Sequence, residues 1–245
     1  ALAWLDITDN CAYGLSVAQT PSTGGAPEPE TTRIDVYLDQ LTHVVSGHHL
    51  RHLRYVITDG YYSKQKFLGG VRALGLEQIG KLRIDANLRY LYQGPKRPGP
   101  GRPKTYDGKV NWDNLSRFEK VETEDDDIML YHQVLNHVQF QCTLSVVLVV
   151  DTKHHRRAVL FSTDVDLDAL TIYRYYKARF QIEFLFRDAK QFTGLTDCQA
   201  RSQAKLNFHF NASLSTVTLA KLEARQQNGD AASGFSMASL KRRAC

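Results

Sequence analysis

Within residues 175–195, YYKARFQIEFLFRDAKQFTGL, the residues Tyr176, Arg179, Glu183 and Lys190 follow one another at intervals of three, four and seven. Those intervals return a side chain to the same face of a helix. At about 100° per residue the four positions fall within ~60° of one another. Tyr175, Ala178, Ile182, Leu185, Ala189 and Phe192 form a separate apolar arc, as in a helix packed on a core. The spacing predicts a helix over roughly 167–193, with one buried face and an adjacent polar stripe. That stripe carries a single carboxylate, Glu183, with cations one or two turns away.

The rest of the chain supplies partners for such a helix. LAWLDIT and AYGLSVAQT read as two strands joined by a DNC turn, and RIDVYLDQLTHVV has helical spacing. The Pro/Gly/Thr-rich segment 21–32 between them is a loop. RYVITDGYYS is a short apolar run ending at Asp59-Gly60, followed by a helix in KQKFLGGVRALGL and a strand in LEQIGKLR. From Asn87 to about Val121 the periodicity breaks up, with a basic Pro/Gly-rich excursion at 96–110. IMLYHQVL, TLSVVLVV and AVLFS are three further strands, the first preceded by the acidic run ETEDDD and the last by the polar turn DTKHHRR. A final helix spans roughly 202–227, and the segment 226–245 reads as a flexible tail. The fold class is α/β, a mixed sheet with flanking helices and a β-rich insertion at about 87–162.

Composition narrows the function. A chain of 245 residues with 42% hydrophobic and 23% charged residues can bury a core. Its longest apolar run, LSVVLVV, fits a buried strand and falls well short of the ~20 residues of a membrane span. Four scattered cysteines, Cys11, Cys142, Cys198 and Cys245, exclude a zinc ribbon and fit a reducing cytoplasm. The net charge of +5 is uneven: from Thr171 onward twelve Lys/Arg face five Asp/Glu, whereas the first fifty residues hold one Arg and six acids. A polyanion such as nucleic acid suits the basic end, and so does a merely solvated helix face.

Two carboxylates stand out. Asp59 ends an apolar strand, where α/β sheets present ligands and catalytic groups, though Asp-Gly is also a common turn. Glu183 lies between Arg179 and Arg187 and reads equally as half of an i,i+4 ion pair. Jointly they could hold Mg²⁺ or Mn²⁺, hard cations that take oxygen ligands and contact substrate phosphates. A hydrolase with two catalytic acids, such as a glycosidase, needs no cations beside them.

The pattern Y-x2-R-x3-E-x6-K, met by Tyr176, Arg179, Glu183 and Lys190, resembles the Y-R-E-K signature of DDE transposases from bacterial insertion sequences. YVITDGYYSK is similar to the segment carrying that family's second catalytic aspartate. RIDVYLDQL, GKLRIDANLRYLY, GRPKTYDGKV, LFSTD, RFQIEFLFRDAKQFTGLTDCQAR and FHFNASL also resemble family segments, in order, over about residues 1–225. The resemblance implies an RNase H-like catalytic domain over 1–225, with the insertion at about 87–162 before the catalytic helix. Asp59 and Glu183 would be the second and third acids, holding Mg²⁺ or Mn²⁺. Tyr176, Arg179 and Lys190 would contact DNA near the scissile bond. The implied reaction is two-metal phosphodiester hydrolysis at element ends followed by strand transfer into target DNA. The implied partners are insertion-sequence ends, target DNA and a second copy of the chain as a homodimer, in the bacterial cytoplasm at the nucleoid.

The pattern also departs from the family. By resemblance the two N-terminal strands are the second and third of the sheet, so the first acid is expected upstream of Ala1. Asp6 and Asp9 are the stand-ins. A chain so shortened is expected not to cut DNA, and its alternative reading is an inactive remnant that only binds it. His48 and His52 have i,i+4 spacing but read as a helix end and loop, and PGRPK reads as a basic loop touching backbone.

Overall fold

The computed structural model describes residues 1–20, 32–47, 50–95, 102–228 and 236–244. The loop read at 21–32 (apart from Thr32), His48 and residues 96–101 of the basic excursion lie outside them. In chain order the elements are β1 (Leu2–Asp6), β2 (Cys11–Ser16), α1 (Arg33–Gly47), β3 (Tyr55–Ile57), α2 (Gln65–Ala73), β4 (Glu77–Leu82), β5 (Leu88–Leu91), β6 (Tyr106–Lys109), β7 (Glu119–Val121) and β8 (Ile128–His137). There follow β9 (Cys142–Asp151), β10 (Arg156–Ser162), α3 (Ala169–Ala178), α4 (Gln181–Phe192), α5 (Gln203–Asn228) and α6 (Met237–Ala244). The chain divides into two compact units, Leu53–Lys177 and the pair Ala1–His52 with Ala178–Cys245.

The unit Leu53–Lys177 is built on a mixed eight-stranded sheet of order β3-β4-β10-β9-β8-β5-β6, with β7 paired on β8. Only β3 and β4 run parallel; the other ladders are antiparallel. LSVVLVV in β9 explains the layering, because successive side chains of a strand point to opposite faces. Leu144, Val146 and Leu148 join one apolar cluster with Leu68 of α2, Leu88, Leu135 and Phe161. Val147 and Val149 join another with Ile79, Leu130 and Ala169 and Ile172 of α3. Helices therefore cover both faces, and each fully buried Leu or Ile contributes about 1.5–3 kcal/mol of transfer free energy. A mixed sheet flanked by helices is the RNase H-like α/β class expected from the sequence.

The unit Ala1–His52 with Ala178–Cys245 pairs a two-stranded sheet, β1 and β2, with α4, α5 and α6. Its core holds Ala12, Leu185, Ala189, Leu214, Val217 and Met237. One stripe of α5 seals the exposed edge of β2. Asn211 accepts from the Val17 N–H at 2.9 Å and donates to its carbonyl at 2.7 Å. Thr218 Oγ1 accepts from the Gly14 N–H at 2.9 Å, and buried Lys221 donates to the Ala12 carbonyl at 3.0 Å. The helix lies so close that a Cβ on Gly14 would sit 3.3 Å from Leu214 Cβ.

Within the β-rich span 87–162, β10 pairs with β4 and so joins β8 and β9 to the main sheet. Three expectations are corrected. The strands β1 and β2 pair only with each other among the described residues and are not members of the large sheet. The segment 226–245 is not simply a flexible tail: α6 forms there, its Met237 buried against α4 and α5, an apolar contact too short for periodicity to reveal. Finally, the helix expected over 167–193 is two helices, α3 and α4, interrupted at Arg179 and Phe180.

Candidate functional site

Asp59 takes its position from the strand before it. The β3–β4 ladder extends to Thr58, whose N–H donates to the Ile79 carbonyl at 2.9 Å. Below it Gln78, fully buried, donates through Nε2 to Thr58 Oγ1 at 2.8 Å and to the Tyr62 carbonyl at 3.2 Å. The chain then turns up into a single 3₁₀ turn, Gly60–Tyr62, and Asp59 is its N-cap: Oδ1 accepts from the Tyr61 N–H at 2.8 Å. Capping is what an Asp-Gly turn offers locally. Here it also fixes an exposed carboxylate at the mouth of a cleft of about 600 Å³.

That cleft belongs wholly to the large-sheet unit. Asp59, Gly60, Tyr61, Lys81, Arg83 and Ile84 line it, together with Arg157 and, from α3, Tyr176. Its charge is cationic around one acid. Arg83 is held by Asp85 through two bonds of 2.9 Å, and Arg157 stands 4.0 Å from Asp113. The Lys64 ammonium lies 4.2 Å from the centre of the exposed Tyr61 ring, in cation–π range. Sequence reasoning reached Asp59 and Tyr176 but missed Lys81, Arg83 and Arg157. Lys81 and Arg83 alternate with buried Leu82, so a period-two reading of KLR puts both on the open face. Arg157 ends the stretch DTKHHRR, whose polar composition points to a turn rather than to a site.

The remaining expected residues lie in the other unit, at and after the helix break. The Ile182 and Glu183 N–H groups donate to the Arg179 and Phe180 carbonyls at 3.1 and 3.0 Å, a three-residue spacing that tightens the turn into α4. Exposed Phe180 packs edge-on against Phe184. Glu183 occupies the first turn of α4, where a negative charge meets the helix N-terminus, and Arg179 Nη2 stands 3.5 Å from its Oε1. The i,i+4 ion pair is thus made. Lys190 lies two turns on, at the rim of an apolar pocket of about 460 Å³ lined by Val17, Phe186, Leu195 and Phe210. The apolar arc divides at the break: Leu185 and Ala189 enter the core of this unit, while Tyr175 packs against the sheet core with Ile172.

The donor chemistry suits a hard divalent cation, since Asp59 and Glu183 both present exposed carboxylate oxygens. Among the described residues no three His, Cys, Asp or Glu side chains stand together as a metal-binding group. Asp6 and Asp9, the stand-ins for a further acid, are engaged elsewhere: Arg225 binds Asp6 at 2.9 Å and Asp9 at 3.0 Å. Burial pushes the Asp6 carboxyl up, but the Asp9 and Thr8 N–H groups and the Arg225 guanidinium outweigh it and hold the carboxyl below the usual range. His52 is exposed and tilted against Trp4 at 5.7 Å. No described helix is long and apolar enough to cross a membrane.

The family model described as "Transposase DDE domain" matches residues 26–219, most of the chain and the whole span from Asp59 to Lys190. No curated protein matches it.

Proposed function

Because the chain belongs to the transposase DDE-domain family, we propose that it is the catalytic part of an insertion-sequence transposase of the Y-R-E-K subgroup, cutting and joining DNA at element ends. The observation that carries this reading is the cleft in which one exposed carboxylate, Asp59, stands among Lys81, Arg83 and Arg157. A groove of that charge receives a phosphodiester backbone, and an acid at its mouth has a use there only if something offsets the negative charge around it.

In this reading Asp59 and Glu183 hold Mg²⁺ or Mn²⁺. A bound divalent ion supplies positive charge that offsets the charge on the phosphorane-like transition state and favours ionisation of the attacking water. Lys81 and Arg157 hold the backbone in register by contacting phosphates on either side of the scissile one. Tyr176 hydrogen-bonds a phosphate oxygen or stacks on a base, and Arg179 and Lys190 contact further phosphates. Hydrolysis forms a bond from the water oxygen to phosphorus and breaks the bond to the 3′ oxygen, which leaves as the 3′-hydroxyl. In strand transfer that hydroxyl attacks a target phosphodiester in the same sense. Two copies of the chain serve the two ends.

A second reading, a chain that binds DNA without cutting it, draws on the absence of a three-acid group among the described residues. One experiment separates the two: incubation with element-end DNA in Mg²⁺ or Mn²⁺, with binding followed across a salt series. Nicking that Asp59→Asn abolishes supports the first reading. Salt-sensitive binding without nicking in either ion supports the second. Failure to bind DNA at low salt overturns both.

A further inference from the structure

The helix α5 is apolar on the side turned away from its own unit. Phe208 is 77% exposed, Leu219 65% and Leu222 41%, whereas Leu214, Val217 and Ala220 on the opposite side are buried. With Ala204, Ala212 and Ser215, also exposed, they fall on one face of about 100° together with Lys205 and Glu223. Three large apolar side chains on an open helix face are an unfinished interface.

The order of residues along this face names its occupant. Phe208 and Leu219 are centred between residues 213 and 214, Ala212 and Ser215 on the same point, Ala204 and Leu222 on residue 213, and Lys205 and Glu223 on residue 214. All four pairs therefore share one midpoint to within about 1 Å of helix rise. A two-fold axis at that point, perpendicular to the helix, brings Phe208 of each copy against Leu219 of the other, with small residues at the crossing. The same rotation sets each flank against itself reversed, so exposed Lys205 of each copy meets exposed Glu223 of the other. Glu223 meanwhile accepts only a neutral bond that the structure gives, from Gln227 Nε2 at 3.1 Å.

We infer that the exposed face of α5 is a self-complementary seam on which a second copy of this chain docks, antiparallel, bracketed by two Lys205–Glu223 ion pairs. It rests on the proposed function only for its purpose, holding two protomers at paired DNA ends. A seam of one helix per copy lies at the low end of specific interfaces, on the order of 1,000 Å², so the dimer is weak in solution and strengthened when both copies share one DNA.

The test is sedimentation of the full chain without DNA, over a series reaching about 100 µM, where a micromolar interface is filled. The mass is expected to move from one chain to two. Phe208→Glu and Leu219→Lys, at exposed positions, should each keep it at one chain with an unchanged thermal melt. Lys205→Glu should weaken association about tenfold, since two pairs are lost together, and adding Glu223→Lys should restore it. A one-chain mass at every concentration overturns the inference, as does a dimer indifferent to Phe208→Glu or a charge swap without rescue. Because no DNA is present, none of these outcomes bears on cleavage, and failure to nick or bind DNA leaves the seam standing.

Discussion

Arg225, near the C-terminal end of α5, binds Asp6 at the end of β1 at 2.9 Å, and its second amino group reaches Asp9 across the turn at 3.0 Å. One guanidinium thus ties both acids of the first hairpin to a helix more than two hundred residues further along. These carboxylates serve as anchors of the fold, which makes them poor candidates for metal-binding acids.

Arg225→Met should therefore destabilise the protein without touching cleavage chemistry. Arg225 is about one-third exposed, so the loss is expected to be smaller than that of a buried charged network. The Asp6 carboxyl is depressed in the folded state, so its contribution is present above the ordinary 3.8 and lost as pH falls through the folded value. Thermal melts from pH 6 to pH 2 should show an acid limb in the native protein that is shallower in the variant.

Asp59 gives a contrast between fold and function. Asn caps a helical turn about as well as Asp, whereas Ala does not and costs about 1 kcal/mol. Asp59→Asn should leave the melting temperature within error and abolish metal-dependent nicking; Asp59→Ala should do both kinds of damage. Equal melting temperatures for the two variants would contradict the capping bond to Tyr61.

Lys81 and Arg157 predict a change in salt dependence. If each contacts one phosphate, Lys81→Ala and Arg157→Ala should each weaken DNA binding across all sequences and lower the slope of log affinity against log salt by about 1. Binding measured by fluorescence anisotropy between low and moderate salt checks this, with Lys153→Ala, outside the cleft, as the control.

His137 predicts a pH effect of a different origin. It is only 2% exposed, stacks on Phe140 at 3.8 Å and accepts the Phe140 N–H on Nδ1 at 3.1 Å, so it must be neutral there. Burial pushes its pKa down to about 4 from 6.5. The unfolded chain takes up a proton below 6.5 that the folded one refuses until about 4, so stability should fall with pH across that window. The slope is at most ~1.4 kcal/mol per pH unit. Melts of His137→Gln should lose this slope, at the cost of lower stability at pH 7.

What the sequence made legible was whatever repeats along a single element. The apolar run of β9, the strands either side of it and the buried face carrying Leu185 and Ala189 all follow from periodicity. The break at Arg179 and Phe180 did not, because no Gly or Pro marks it and the helical spacing runs straight through. The anchoring of β2 was hidden for a related reason: Asn211, Thr218 and Lys221 read as ordinary polar residues of a surface helix until their partners are known. Of the cleft, Asp59 and Tyr176 were visible within recognisable segments, whereas Lys81, Arg83 and Arg157 come from β4, the residue just beyond it and the edge of β10, and converge only through the sheet.

The stripe of α5 that seals β2 also sets a schedule. Gly14 and Thr218 are 204 residues apart, and Ala12 and Lys221 are 209 apart. At about 5–20 residues per second a ribosome needs roughly 10–40 seconds to bridge that gap. Throughout that time the hairpin has an open backbone edge and no helix to close it, while the intervening sheet can already fold from its own contiguous strands. The hairpin is therefore secured only after the whole intervening sheet has been made, and a nascent chain stalled before α5 would display β2 as bait for chaperones or for other unfinished strands.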